Sequence, residues 1–391
     1  MPHIHIRSFN PAALPTQSDR VRFDFMATNV EHADEHLIAA AMEEKEFFLL
    51  VKEGEEKSLL KSDKISRPSP NFYIKKALQA YAQLSGCEVL DSNVNDTSRS
   101  AHLATDSALR TIHDFARSFP SDREVRIEVG FGSGRHLLHQ AKAHPNILFI
   151  GIEIHKPSIE QVLKQINIQG IGNLLLLDYD ARLFLELVPS NIAGRIYVHF
   201  PVPWDKKPHR RVIGEAFVNE AIRVLKPGGK LELRTDSDNY FAYAFETFTA
   251  LQKVDLQIFK NRDIAISSKY EDRWKRMEKN IYDITLTNEE ESPPLNPKGS
   301  FVFAAKALSE EKIGSLNGKT IRFEGGFVHF ERLYKTTDGR MMFRLSMGSF
   351  ERPEHLYLII GDDKAEYFPS PPVPSRTNFT AHSKLSELLY G

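Results

Sequence analysis

The stretch Glu128-Val129-Gly130-Phe131-Gly132-Ser133-Gly134 decides how this sequence folds. It closes an apolar run at 125–129 and leads into apolar residues at helical spacing over 135–143. Glycines at alternate positions let the chain turn with positive φ, and they remove the Cβ atoms that would hold a ligand away from the backbone. A dinucleotide fingerprint would need its third glycine one residue later, where Arg135 stands. A strand, a glycine-rich turn and a helix in this order open an α/β sheet.

Working outward, the alternation continues without pause. Short apolar or β-branched runs at 147–152, 174–177, 195–200 and 230–234 are separated by helical patterns at 157–168, 181–187, 214–225 and 238–250. This rhythm predicts a doubly wound parallel sheet over residues 105–308. Runs at 281–286 and 300–306 are expected to close it, one of them antiparallel. The flanks differ in texture. Residues 1–95 combine a hairpin around Gly54 with a helix over 72–84 and predict a mixed α/β accessory domain, followed by a linker at 91–100. Residues 310–391 carry short strands punctuated by Gly325-Gly326 and Asp338-Gly339, the latter a hairpin signal, and predict a small β-rich domain. Three domains are therefore expected: 1–95, 105–308 and 310–391.

The charge balance is even, 51 Lys and Arg against 52 Asp and Glu. This argues against a wholly basic nucleic-acid binder but leaves room for one basic face. The single cysteine, Cys87, excludes an internal disulfide and any cysteine-based zinc cluster. No apolar run approaches the roughly 18 residues of a membrane span, and the first ten residues do not read as a signal peptide. A soluble cytoplasmic chain without a metal site is expected.

Three acids end three successive strands of the central run. Glu128 precedes the glycines, Glu153 closes Gly151-Ile152-Glu153-Ile154, and Asp180 stands in Asp178-Tyr179-Asp180-Ala181, with Asp178 the alternative. Any one of them could be a surface acid. Together with Gly130, Gly132 and Gly134 they suit S-adenosyl-L-methionine. Glu128 would take its amino group, Glu153 its ribose hydroxyls and Asp180 its adenine amine. After the fourth strand comes His199-Phe200-Pro201-Val202-Pro203-Trp204-Asp205-Lys206-Lys207-Pro208-His209-Arg210-Arg211. A solvated basic loop would look similar. Its stiffening prolines, a tryptophan able to stack on a base, and four basic residues favour a nucleic-acid substrate.

These elements, with the stretches at 225–236 and 268–283, make residues 120–306 resemble the tRNA (guanine-N7-)-methyltransferase family of class I S-adenosylmethionine-dependent methyltransferases. The resemblance implies a Rossmann-like core and methylation of guanine N7 in the tRNA variable loop. It also implies donor contacts by Glu128, Glu153 and Asp180. Substrate contacts would come from Lys206, Asp236, Ser268 and Glu271, with Trp204, Lys207 and Arg210 beside them. Asp236 and Glu271 are the candidate catalytic groups. The family usually reads Phe-Pro-Asp-Pro-Trp, whereas Val202 fills the acid's position here. Guanine N7 carries a lone pair and no proton, so a general base is not expected. Alternatives left open are methylation of another RNA site and a non-catalytic RNA-binding chain. A monomer or homodimer acting on tRNA is expected.

Overall fold

A computed structural model describes residues 1–94, 107–120, 122–262, 264, 277, 279–295, 299–350 and 352–391. The chain forms two compact units, Asp106–Asn296 and a second one built from Met1–Thr105 together with Pro297–Gly391.

The described residues of the Asp106–Asn296 unit hold eight strands, β1 (Leu109–Arg110), β2 (Val125–Val129), β3 (Leu148–Glu153), β4 (Leu174–Asp178), β5 (Ala193–His199), β6 (Leu225–Thr235), β7 (Asp255–Lys260) and β8 (Tyr282–Thr287). They form one sheet in the order β7-β8-β6-β5-β2-β3-β4-β1. Val125, Ile127, Ile150, Leu176, Ile196 and Val198 are fully buried, as expected for parallel strands covered on both faces. All pairings from β1 to β6 are parallel, and β8 runs antiparallel to both of its neighbours, β6 and β7.

Among the described residues of this unit the α-helices are α1 (Ile112–Arg117), α2 (Arg135–Ala143), α3 (Lys156–Gln169), α4 (Ala181–Leu185), α5 (Glu215–Val224) and α6 (Asp238–Thr249). From β2 the chain winds outward through α2, β3, α3 and β4, then returns to the other side of β2 through β5 and β6. Right-handed crossovers in opposite directions put the two helix groups on opposite faces. This is the doubly wound, Rossmann-like core that the sequence predicts. Its topological switch point lies at β2, where the chain enters Gly130–Gly134.

Two details depart from expectation. Residues 300–306 form no strand and lie in the other unit. The sheet edge is instead made by β7, five of whose six residues are exposed; its alternation Val254-Asp255-Leu256-Gln257-Ile258 is short, and no strand is predicted there.

The flanks, read from the sequence as separate domains over 1–95 and 310–391, form one unit. Its twelve-stranded sheet joins them where Val21–Asn29 pairs antiparallel with Gly326–Thr336, aligning Asn29 with Tyr334 and Ala27 with Thr336. Buried Glu35 fixes that seam. Its carboxylate accepts from Arg332 Nη1 at 2.6 and 2.8 Å, Tyr334 Oη at 2.8 Å and Asn29 Nδ2 at 3.2 Å. Despite the burial, these donors lower its pKa to about 2. An aromatic core runs across the same join: Phe48 lies 4.9 Å from Tyr357 and 4.3 Å from Phe368 between ring centroids. Neither flank carries a complete sheet by itself. The helices Phe72–Leu84 and Arg376–Tyr390 bury their apolar faces in cores on this unit.

Candidate active site at the carboxyl edge of the central sheet

The glycine turn needs all three of its glycines, for two different reasons. Gly130, Gly132 and Gly134 have φ values of 70°, 51° and 69°, a region side-chain-bearing residues seldom enter. A Cβ on Gly134 would come 2.4 Å from Val162 Cγ2, so this glycine lets α2 pack against α3. A Cβ on Gly130 or Gly132 would meet nothing within 4 Å. These two residues present bare backbone to open space, a cradle at the switch point.

The three acids all stand at strand ends but are engaged differently. Glu153 Oε2 accepts from Gly132 N at 2.9 Å, while Oε1 accepts from Ile154 N at 2.9 Å and His155 N at 3.0 Å. It therefore ties the glycine turn to the next strand end and keeps lone-pair capacity for another donor. Glu128 is 3% exposed and meets His136 Nδ1 at 2.7 Å. Asp180 caps α4, accepting from Arg182 N at 2.9 Å and from Arg182 Nη2 at 2.6 Å. Asp178 pairs with Lys156.

Beneath the edge lies a polar network that motif reading did not single out. The His136 ring packs against Tyr197 and His199, with centroid distances of 4.8 and 4.6 Å. His199 Nε2 lies 2.8 Å from Glu232 Oε1, and Arg195 Nη1 lies 3.7 Å from Glu232 Oε2. Burial opposes charge on His136, yet the Glu128 carboxylate raises its pKa. Burial likewise opposes charge on Glu232, yet His199 and Arg195 hold it at about 2. Alongside, Arg234 Nε lies 2.9 Å from Asp283 Oδ1, both side chains almost fully buried. The signal for these residues was period-two spacing: Tyr197 and His199 share one face of β5, as Glu232 and Arg234 share one of β6.

The loop after β5 is strained and basic. Phe200 and Trp204 adopt φ of 50° and 46°, unusual for bulky residues and of a kind that collects at functional sites. Lys206, Lys207, His209 and Arg210 are exposed, and Arg210 lies over the Trp204 ring at 5.2 Å. Arg211, grouped with them in the sequence, points inward. It is 7% exposed, donates to Pro203 O at 2.7 Å and to Asp205 Oδ1 at 3.3 Å, and lies 4.7 Å over the Tyr243 ring. It clamps the loop and is not free to bind phosphate. Val202 is 61% exposed. Asp205, three residues after Val202, is held by Arg211.

Asp236 follows β6 immediately and accepts from Lys279 Nζ at 3.1 Å. Ser268 and Glu271 lie outside the described residues. Among the described residues, no helix is long and apolar enough to cross a membrane.

A family profile described as "Putative methyltransferase" matches residues 122–284. A tRNA (guanine-N(7)-)-methyltransferase of Wolinella succinogenes is 46% identical over 393 residues, covering all of both chains. One of Campylobacter fetus subsp. fetus is 38% identical over 97% of this chain and 98% of its own. Among solved structures, 16S rRNA methyltransferase KamB aligns with 46% of this chain and 93% of its own at 17% identity and a TM-score of 0.35.

Proposed function

We infer the following from one premise: the chain belongs to the tRNA (guanine-N7-)-methyltransferase family, whose members match it from end to end. It is a cytoplasmic enzyme that methylates N7 of a guanine in tRNA, in the variable loop, using S-adenosyl-L-methionine. One structural observation carries the reading. The glycine cradle, the acidic strand ends and the strained basic loop share the carboxyl edge of one sheet, on either side of its switch point.

The cradle suits the donor because Gly130 and Gly132 leave room against their backbone. When bound, the donor supplies an electrophilic methyl group on a sulfonium centre. Glu153 accepts from ribose hydroxyls while keeping its hold on Gly132. Asp180 faces the adenine end, sharing its carboxylate with Arg182. Glu128, fixed by His136, sets the charge at the amino-acid end. Lys206, Lys207 and Arg210 receive tRNA phosphates, and Trp204 stacks on a base.

Asp236 accepts from the guanine N–H groups, which aligns N7 and offsets the positive charge that develops on the base. Lys279 holds this carboxylate until the base replaces it. Ser268 and Glu271 complete the substrate side by family position. No residue needs to remove a proton, so Val202 does not disable the reaction, and alignment supplies most of the rate.

The test is incubation of the protein with unmodified tRNA and labelled donor, followed by mapping of borohydride- and aniline-sensitive cleavage. Cleavage at a single variable-loop guanine is expected. Label at another nucleotide would overturn the target, and absence of label would overturn the enzyme.

A further inference from the structure

The strand His3–Ile6 alternates strictly: Ile4 and Ile6 are 3% and 1% exposed, so His3 and His5 must share the outer face. The antiparallel neighbour Val89–Ser92 sets Asp91 directly opposite His5. One ligand atom each from His3, His5 and Asp91 lies within 4.8 Å of the other two. We propose that these residues form a zinc-binding site, independent of the methyltransferase reading, that ties the first strand of the sheet to its edge strand.

The donor set and its spacing both favour zinc. Two imidazoles and one carboxylate are a borderline set matched to Zn²⁺, with water as a fourth ligand. Nitrogen and oxygen donors at ~2.0–2.1 Å from a tetrahedral zinc ion stand about 3.4 Å apart. His5 Nδ1 and Asp91 Oδ2 are 3.5 Å apart already. The His3 and His5 rings meet edge to face with centroids 5.1 Å apart, which leaves small rotations of the side chains to bring the third donor in.

The surroundings hold the ligands in place. Asn93 Oδ1 accepts from His3 N at 2.7 Å, and Asn93 Nδ2 donates to Met1 O at 3.1 Å. His3 Nδ1 lies 3.0 Å from the same Met1 carbonyl, the kind of backbone contact that orients metal-binding histidines. Nearby charge is mixed. Arg7 is neutralised by Glu88 at 2.6 Å, and Lys61 stands opposite His3 on the inner neighbour, where its long stem lets the ammonium swing clear. All four residues of Val89–Ser92 are exposed, so an edge strand with little burial would gain most from a metal tie.

The test is a calorimetric titration of the chelator-treated full chain with zinc chloride, any affinity tag being placed at the C-terminus or removed. One equivalent should bind. His5→Ala and Asp91→Ala should each weaken binding at least about tenfold, as loss of one of three protein ligands requires. Cobalt in place of zinc should give tetrahedral d–d absorption that the variants lack, and zinc should slow amide exchange at 89–92. Asp91 is exposed and neither histidine is fully buried, so the zinc-free variants should melt close to the parent protein, and His5→Gln repeats the test with a polar side chain retained. Absence of zinc binding by the parent chain, or undiminished binding by the double variant His5→Ala/Asp91→Ala, would overturn the proposal.

Discussion

Replacing Glu153 by alanine separates its two jobs. The carboxylate accepts from Gly132, Ile154 and His155 backbone N–H groups and, in the proposed complex, from two ribose hydroxyls. Hydrogen bonds to a charged acceptor contribute ~1.5–3 kcal/mol each. Losing two to the ribose therefore costs about 3 kcal/mol at the lower end, a weakening of donor binding of roughly 100-fold at 1.4 kcal/mol per decade. The N–H groups of Ile154 and His155 are exposed and regain water. Only the tie to Gly132 is lost to folding, about 1.5 kcal/mol. For a unit of this size that lowers Tm by about 3–6 °C. Donor titration by calorimetry, run beside a thermal melt and a tRNA gel shift, reads all three quantities. The expected result is a large loss of donor affinity, a modest loss of Tm and unchanged tRNA binding. A fall in Tm with donor affinity changed less than about threefold would reduce Glu153 to a structural tie and refute the ribose assignment.

Other residues give equally direct expectations. Reversing Lys206 and Arg210 to Glu should weaken tRNA binding and flatten its logarithmic salt dependence by about 1.5, with Tm unchanged; an unaltered slope would take the loop off the phosphates. Arg211→Ala should destabilise by about 2–4 kcal/mol, since it strands Pro203 O, unpairs Asp205 and removes the cation from Tyr243, whereas Arg210→Ala should stay within about 0.5 kcal/mol of the parent in chemical denaturation. In unit Met1–Thr105 with Pro297–Gly391, Glu35 titrates at about 2 when folded and near its ordinary 4.5 when unfolded. Its contribution of roughly 3 kcal/mol is thus complete above pH about 5 and lost as pH falls towards 2. Glu35→Gln should lower stability at neutral pH and flatten that acid limb in urea titrations across pH.

The sequence carried the central unit well because its signals are local. The buried parallel strands are short apolar runs, continuous at 148–152 and 174–177 and alternating at 125–129 and 230–234, and the glycine turn at 130–134 announces the switch point. Strand β7 escaped because its alternation, Val254 to Ile258, is only five residues long and closely follows the helix Asp238–Thr249. The joining of the two flanks escaped for another reason. Pairing of Asn29 with Tyr334 and convergence of Arg332 on Glu35 are long-range events to which neither local stretch commits. The helix at 72–84 and the hairpin at Asp338-Gly339 were legible because periodicity and turn chemistry define them within a few residues.

The site was legible as residue types, less so as partnerships. Motif reading chose Glu128, Glu153 and Asp180, yet each is already engaged, with His136, with Gly132 and with Arg182. It counted Arg211 among the phosphate-binding cations, although burial beside Tyr240 and Tyr243 makes it a clamp. Charge alone cannot tell these roles apart; direction and burial do.

The proposed reaction begins with attack by the lone pair of guanine N7, a nitrogen that no residue has to deprotonate. A tRNA carrying 7-deazaguanosine at the variable-loop target replaces that nitrogen by C–H and preserves the Watson–Crick edge that Asp236 is proposed to hold. Single-turnover methyl transfer with labelled donor should fall to background while tRNA affinity stays within about twofold of the natural substrate. Undiminished transfer to the deaza tRNA would contradict the account.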